Sequence, residues 1–291
     1  MKNLIKTKSI LILILFFSFC SYAQKNTTIF TQKSVKHFEK TLAKINDNFY
    51  MSSVEVSNGL YNEFLGDLRQ NGDMEKYAVA IYDSTKWRVN GNHNHPFVNY
   101  YHRYPAYRDY PEVNISYEGA VLFCEWLTSK YNSLEKRAFK KVVFRLPTGE
   151  EWKHAARGDI EKSIYPWGGP YSRNAKGYML CNYNGSGDEN IYFDTVKKEY
   201  VVIKEGDKDS NRVSFFGNTG CYTVSVFHFP PNDYGIYNIS GNVAEMTAEK
   251  GIARGGSYIS PGYDVRIDSE EKYTEPAAHI GFRFCMEIIE K

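Results

Sequence analysis

The sequence predicts an α+β fold with a few helices, short strands and many turns. Two segments in the first half of the chain, 58–68 and 116–127, place apolar residues at helical spacing. From residue 159 onward turn residues dominate instead, as in WGGP at 167–170. Phe, Tyr and Trp supply 16% of the 291 residues. Such amphipathic rings are suited to packing irregular backbone.

Each predicted helix begins at a residue that can cap it. Ser57 or Asn58 can cap the first helix, and Ser116 can cap the second. Thr148 and Glu151 stand at the spacing of a capping box, which predicts a third helix starting at 149.

Strands and loops are expected between and after these helices. The apolar run at 142–146 predicts a strand, and 201–203 is a strand candidate inside a charged insertion loop or hairpin at 196–216. Segment 88–112 shows no periodicity and is predicted to be a loop.

Residues 1–23 have the composition of a secretory signal peptide. Three lysines precede an apolar run at 10–19, and small residues end the segment. The run is too short for a comfortable membrane span. We therefore expect export to the periplasm or cell envelope, with Gln24 as the mature N-terminus. Lipid anchoring at Cys20 is the less favoured alternative, because a bulky phenylalanine precedes it.

The mature chain divides into a polar, lysine-rich arm at 24–47, which is predicted to be a mobile segment or a short helix, and one folded domain at 48–291. The whole chain carries a net charge of +2, with acidic and basic residues interspersed. A nucleic-acid partner is therefore not expected, since such proteins show a basic stripe. No second apolar run approaches membrane-spanning length, so we expect no transmembrane span in the mature chain.

Several blocks, in order along the chain, resemble the family of formylglycine-generating enzymes and sulfatase-modifying factors. They are MSSVEVSN at 51–58, NISYEGA at 114–120, RLPTGEEW at 145–152, FPPNDYG at 229–235, YNISGNVAEM at 237–246, ARGGSY at 253–258 and GFR at 281–283. The resemblance covers about 48–286. It implies the formylglycine-generating-enzyme, or C-type-lectin-like, fold.

The resemblance also implies where the family's oxidases keep two catalytic cysteines. Here Ser260 and Val265 stand at those positions, and no cysteine occurs between Cys221 and Cys285. The active copper needs soft thiolate ligands, whereas a hydroxyl is a hard ligand and valine offers none. We therefore expect no copper and favour a protein without catalytic activity.

Other residue groups offer weaker routes to catalysis. His93, His95 and His102 lie close together in sequence and are candidate metal ligands, with a polar loop as the simpler interpretation. Ser257 is a candidate nucleophile that would need a base such as His279, but no motif supports the pair.

Members of this family bind structural calcium, and the resemblance implies one such site here. The matching positions are Asn238, Gly241, Val243 and Glu245. They would supply an amide oxygen, two backbone carbonyls and a carboxylate, which are ligands that calcium accepts. A plain Gly-Asn turn is the alternative. A weaker second site is implied at Asn182 and Tyr183, although its later aspartate is replaced near Asn218.

A disulfide between Cys124 and Cys285 is also implied by the resemblance. In the family the second cysteine directly follows Gly-Phe-Arg, whereas Phe284 intervenes here. A shift of one residue in a strand turns the side chain to the other face. Cys181 and Cys221 would be the remaining pair. An even number of cysteines in an exported chain is compatible with disulfides.

Residues 80–128 resemble one subgroup more narrowly, the gliding-motility lipoproteins of Bacteroidetes. The resemblance rests on DSTKW at 83–87, YPAYRDYP at 104–111 and FCEW at 123–126. Those lipoproteins keep the fold without the oxidase cysteines and belong to a periplasmic ring of the Por secretion machinery. A protein partner in the envelope is thereby implied, with YPAY at 104–107 as a candidate contact surface. Core packing of that loop is the alternative.

Three functions follow from these observations. The first is an exported, non-catalytic binding or assembly component, in a gliding or secretion machinery. The second is a formylglycine-generating or other metal-dependent oxidase acting on protein cysteine. The third is a lectin-like ligand-binding module. The absent cysteines favour the first over the second, and glycan binding would identify the third. The fold does not decide, because one fold can host several functions.

Overall fold

The structure is a computed structural model that describes residues 34–88, 95–160, 162–184, 191–202 and 222–291. Helices and short strands alternate with long irregular segments, which confirms the predicted α+β architecture. The described α-helices are α1 (Val35–Glu39), α2 (Asn58–Gln70), α3 (Met74–Ala80), α4 (His95–Tyr100), α5 (Tyr117–Asn132) and α6 (Gly149–Arg157). Two 3₁₀ turns, Ser84–Trp87 and Pro105–Tyr107, flank α4.

The described strands form two four-stranded sheets and one hairpin. They are β1 (Leu42–Lys44), β2 (Phe49–Ser52), β3 (Lys141–Arg145), β4 (Ile191–Asp194), β5 (Glu199–Val202), β6 (Ala244–Met246), β7 (Ile252–Arg254), β8 (Glu270–Lys272), β9 (Ile280–Gly281) and β10 (Cys285–Glu290). The first sheet has the order β1-β2-β10-β3 and the second the order β8-β7-β6-β9. The pair β4 and β5 forms a hairpin over 191–202, which starts before the charged insertion expected at 196–216. Its second strand overlaps the strand candidate at 201–203, and residues 203–216 lie outside the described residues.

The predicted caps are confirmed at three helices. Ser57 Oγ accepts from the backbone N–H of Leu60, and Ser116 Oγ accepts from that of Gly119. Thr148 and Glu151 form the reciprocal capping box of α6. Each hydroxyl satisfies an amide that the first turn of its helix leaves without a partner.

The first sheet lies between helices on its two faces. Phe284, Met286 and Ile288 of the C-terminal segment join the large core cluster that α2 and α5 cover. On the opposite face, Trp152 of α6 shares a second cluster with Cys285. Alternation along β10 thus divides one strand between two cores.

The outer edge of β3 is covered by side chains of α5. Thr128 Oγ1 accepts from the Phe144 amide over 2.9 Å, and Asn132 exchanges two hydrogen bonds with Val142 at 2.8 and 3.0 Å. Unpaired strand edges promote association with other chains. This edge is therefore not open to a further strand along those positions.

Two sequence predictions need correction. The arm at 24–47 is not wholly outside the fold, because Val35, Phe38 and Leu42 are buried in the main core and 42–44 form a strand. The sparse apolar residues of that segment are enough to pack one helical turn and one edge strand. The predicted loop at 88–112 contains α4 and a 3₁₀ turn in its described part. No helix in the described ranges is long and apolar enough to cross a membrane.

Candidate functional site

The turn that starts at Gly255 occupies the place where the resemblance puts the oxidase site. Gly255 and Gly256 have φ angles of +88° and +63°. A side chain at Gly256 would come within 2.8 Å of the Asp264 carbonyl oxygen and of Val265 Cγ1. Glycine alone combines this backbone conformation with so close an approach. The two glycines therefore hold Ser257 against the segment that contains Val265.

The buried hydroxyl groups of Ser257 and Ser260 contact each other. The Ser257 N–H donates to Ser260 Oγ over 2.9 Å, and the two Oγ atoms lie 3.2 Å apart. The candidate base His279 instead places Nε2 at 3.0 Å from Glu271 Oε1. The structure thus gives His279 a carboxylate partner and does not assemble it with Ser257 as a nucleophile and base.

Val265 is fully buried in an apolar cluster and adds no ligand to this turn. The cluster also contains the thiol of Cys181 beside aromatic rings, among them Tyr165 and Phe229. Burial raises the pKa of the Cys181 thiol well above its usual range. A buried thiol of this kind stays protonated, and the protonated form is a poor metal ligand.

The histidine set predicted as a possible metal site is not assembled in the described residues. His102 Nδ1 lies 2.9 Å from Glu112 Oε1, and the imidazole stacks on Tyr82 with 3.8 Å between ring centroids. Burial raises the pKa of Glu112, and the neighbouring His102 opposes the shift. His93 and the side chain of His95 lie outside the described residues. Within the described ranges, no group of three or more His, Cys, Asp or Glu side chains could hold a metal.

Glu245, a predicted calcium ligand, is at the centre of a buried ion pair. Arg283 Nε and Nη2 donate to its two carboxylate oxygens over 2.6 and 2.5 Å, and Trp152 Nε1 donates over 2.7 Å. Arg283 also donates to the carbonyls of Ser52 and Tyr237, both at 3.0 Å. Burial disfavours the charge on Arg283, but Glu245 outweighs that effect and raises its pKa. The guanidinium therefore joins Glu245 of β6 to Ser52 at the end of β2 and to Tyr237, while Trp152 of α6 reaches the same carboxylate.

A second buried carboxylate, Glu55, lies beside this ion pair. Its Oε1 accepts from Asn242 Nδ2 over 2.7 Å and its Oε2 from Asn238 Nδ2 over 3.2 Å. Burial raises the pKa of Glu55 to about 8, against the attraction of Arg283. Glu55 is therefore protonated more readily than an ordinary glutamate, and the guanidinium of Arg283 pairs with Glu245.

In the observed side-chain arrangement, the predicted calcium ligands do not fit the ion. The turn brings Asn238, Gly241 and Val243 close to Glu245 in sequence, but the carboxylate of Glu245 is already shared between a guanidinium and an indole N–H. Calcium would have to compete with Arg283 for the carboxylate of this set. Calcium binding at this turn stays a prediction.

The residues of the weaker second calcium site serve the same turn. A side chain at Gly241 would meet the Asn182 carbonyl oxygen at 2.3 Å, so the two backbones touch. Asn182 Nδ2 donates to the Tyr222 carbonyl over 2.9 Å and lies 3.2 Å from Asn242 Oδ1. Tyr183 Oη contacts Ser172 Oγ at 2.6 Å. Asn218 lies outside the described residues, and this site also stays a prediction.

The disulfide implied between Cys124 and Cys285 is not formed, and both buried thiols are free. Cys124 belongs to the cluster between α5 and the first sheet, whereas Cys285 faces the opposite cluster. Phe284 takes the position on the α5 side. The one-residue shift therefore reverses the side-chain direction, as the period of a strand requires. Of the remaining pair, Cys181 is also free, and Cys221 lies outside the described residues.

Several members of the buried network were not identified from the sequence. Glu55 stands between two valines, and a carboxylate in an apolar run was a signal of burial. Arg283 was visible only as part of Gly-Phe-Arg, and nothing local indicated its partner. Trp152 was visible only as the end of the RLPTGEEW block, and nothing local indicated that it donates to Glu245.

Comparisons with known proteins agree with this architecture. A model of the sulfatase-modifying factor enzyme 1-like domain matches residues 25–288. The chain belongs to that family, and it has the α+β fold that the resemblance implied. The chain is similar to the formylglycine-generating enzyme of Mus musculus, with 25% identity over 81% of this chain and 65% of that protein. It thus spans less than two thirds of the length of that curated relative.

Other relatives differ in activity. The inactive C-alpha-formylglycine-generating enzyme 2 of Bos taurus is 28% identical over 60% of this chain and 50% of its own length. Among solved structures, Treponema denticola variable protein 1 superposes with a TM-score of 0.49 and 18% identity, covering 82% of this chain and 84% of that chain. PvdO from Pseudomonas aeruginosa gives a TM-score of 0.47 and 19% identity over 82% and 80%. The family therefore includes both catalytic and inactive members.

Proposed function

We propose that this chain is a non-catalytic family member that acts by binding another protein. The observation that carries the proposal is the pair Ser260 and Val265, where the family's oxidases have two thiols. Ser260 Oγ accepts from the Ser257 N–H, and Val265 is buried among apolar side chains. Neither residue offers the soft ligand that copper needs. An inactive relative supports the same interpretation.

The surface around this turn has the composition of a contact site. Ile259 and Tyr263 are 49% and 39% exposed, and Ile164 and Tyr171 are also exposed. The two segments are joined, because Tyr165 Oη donates to the Gly262 carbonyl over 2.9 Å. Exposed aromatic and aliphatic side chains clustered on one surface favour protein binding.

The proposal includes export and a place in the cell envelope. It is supported by the composition of 1–23 and by the resemblance of 80–128 to gliding-motility lipoproteins. The partner would then be a secretion or motility component or another envelope protein. Fractionation of cells that express the full chain tests this part, with a cytoplasmic location as the contradicting result.

The catalytic part is tested by copper loading and turnover of the purified protein. A cysteine-bearing sulfatase peptide is incubated with the protein, copper and oxygen, and formylglycine is measured by mass spectrometry. We expect no product and no stoichiometric copper(I). The matched variant Ser260→Cys/Val265→Cys restores two thiols and should bind copper(I). Formylglycine formed by the unchanged chain would overturn the non-catalytic proposal.

The binding part is tested by crosslinking in the native cells. The variant Ile259→Asp/Tyr263→Asp should abolish a specific crosslinked species without changing the melting temperature. The control Met74→Asp, at another exposed apolar residue, should retain it. Equal crosslinking by all three proteins would show that the partner binds elsewhere.

A further inference from the structure

A lysine-rich face surrounds the point at which the chain enters the described fold. Helix α1 contributes Lys36 and Lys40, both exposed and one helical turn apart. Val35 and Phe38 are buried on the other side of this helix, so the two lysines point away from the core. A second group of basic residues follows α5, at 136–141.

The two groups lie side by side because Glu39 joins them. Its Oε1 accepts from Tyr131 Oη and from the Ala138 backbone N–H, both over 2.7 Å. Phe38 packs on Phe144 with 5.9 Å between ring centroids, which holds α1 against β3. The carboxylate of Glu39 is thereby directed towards the protein, away from the surface formed by the lysines.

The net positive charge of this face exceeds the net charge of the whole chain. Its basic residues are Lys36, Lys40, Lys136, Arg137, Lys140 and Lys141, and its acidic residues are Glu39, Glu135 and Glu290. The excess of three positive charges compares with a net charge of +2 for the complete sequence. Lys140 and Glu290 form a solvent-exposed pair at 3.0 Å. Exposed pairs of this kind bind weakly and exchange readily with other ions.

We propose that this face binds the surface of an anionic phospholipid membrane. Clusters of four to eight lysines and arginines are attracted to acidic lipid headgroups, and each adds about 1 kcal/mol near the surface. Most of the charges here are lysines, which act as mobile point charges and do not impose one planar geometry. This role concerns a different face from the turn at 255–260 and goes beyond the proposed function.

The position of the N-terminus favours a membrane over another polyanion. Ser34, the first described residue, directly precedes α1, and the apolar run at 10–19 lies upstream in the sequence. Only fourteen residues separate Phe19 from Ser34, a span of at most roughly 50 Å when extended. While the leader is attached and engages a membrane, this face can therefore lie no further than roughly that distance from the membrane.

Flotation with lipid vesicles tests the proposal on the protein purified after export. Vesicles of phosphatidylcholine alone are compared with vesicles that also contain phosphatidylglycerol, at low and at high salt. We expect binding to the anionic vesicles that weakens as salt rises, because exposed charges are screened. The variant Lys36→Glu/Lys40→Glu/Lys140→Glu/Lys141→Glu should reduce the affinity by about a thousandfold, because four lysines at about 1 kcal/mol each are lost.

A matched variant separates the effect of this face on binding from the effect of the protein's net charge. Lys76→Glu/Lys176→Glu/Lys198→Glu/Lys272→Glu makes the same charge change at exposed lysines elsewhere and should bind nearly as the unchanged protein does. Melting temperatures establish that both variants fold. An equal loss in the two variants, equal binding to neutral vesicles, or binding to an acidic protein or RNA but not to vesicles would overturn the proposal. None of these results bears on the copper assay.

Discussion

Replacing Arg283 by methionine tests the buried network at its most costly point. Arg283 has no exposed surface and Glu245 is only 1% exposed, so the variant leaves a carboxylate in the core without its counterion. Two hydrogen bonds to the carbonyls of Ser52 and Tyr237 are lost as well. Removing one partner of a buried pair costs about 3–5 kcal/mol. For a domain of this size that corresponds to a melting temperature lowered by about 10 °C.

Urea unfolding followed by tryptophan fluorescence gives the free energy of unfolding for each variant. Arg283→Met/Glu245→Gln removes both charges but leaves an amide oxygen to accept from Trp152, so it should recover at least about 2 kcal/mol over Arg283→Met. Arg157→Met breaks the more exposed pair with Asp268 and should cost less than about 1 kcal/mol. If Arg283→Met costs no more than this control, Arg283 and Glu245 do not form a stabilising buried ion pair.

Calcium can be examined with the same samples. Because Arg283 holds the carboxylate of Glu245, neither EDTA nor added calcium should change the melting temperature of the unchanged protein. A rise in melting temperature on adding calcium would show that the ion binds despite Arg283, since a ligand that binds only the folded state stabilises it. It would then support the calcium site implied by the resemblance.

Three further predictions concern single positions. Burial raises the pKa of Glu55 to about 8 from an ordinary value of 4.5, so its contribution to stability is complete below about pH 4.5 and is lost as the pH rises through about 8. Because that loss takes place between about pH 4.5 and about pH 8, Glu55→Gln should reduce the fall in unfolding free energy over this range by on the order of a few kcal/mol, and an unchanged pH profile would contradict this. Gly241→Ala should lower the melting temperature strongly because its new methyl would lie 2.3 Å from a carbonyl oxygen, whereas Gly66→Ala, in an open position of α2, should stabilise the protein by up to about 1 kcal/mol. A mild effect of Gly241→Ala would contradict the close contact between Gly241 and Asn182. Cys124 and Cys285 should both be alkylated by iodoacetamide after unfolding without reductant, and a mass-spectrometric peptide joined through them would contradict the free thiols.

Local features of this fold could be predicted from the sequence because they depend on residues three or four positions apart. Ser116 caps α5 through an amide three residues on, and Thr148 and Glu151 satisfy each other's backbone. The loss of the two thiols was equally readable, since Ser260 and Val265 are fixed by their distance from the Gly-Gly-Ser block. These interactions need no knowledge of how distant segments pack.

The secondary structure of the arm at 24–47 and of the predicted loop at 88–112 was harder to predict from the sequence. Residues 35–44 contain only a few apolar positions, too few for a clear period, yet they fit a helix and a strand into an existing core. In 95–107 the short helix and the 3₁₀ turn are stabilised by long-range aromatic contacts such as Phe97 with Tyr222, and not by a local pattern. Tertiary packing decided the structure of both segments.

Sequence by itself determined the family, the capped helices and the absence of the oxidase thiols. Only the tertiary structure decided which buried charged and polar side chains contact each other. Glu245 and Arg283 are 38 residues apart, and Glu55 and Asn242 are 187 residues apart. It also decided on which face of the first sheet Cys285 lies. The physical reason is that strand pairing and register set these contacts, because β10 joins segments from both ends of the chain and a shift of one residue exchanges its faces.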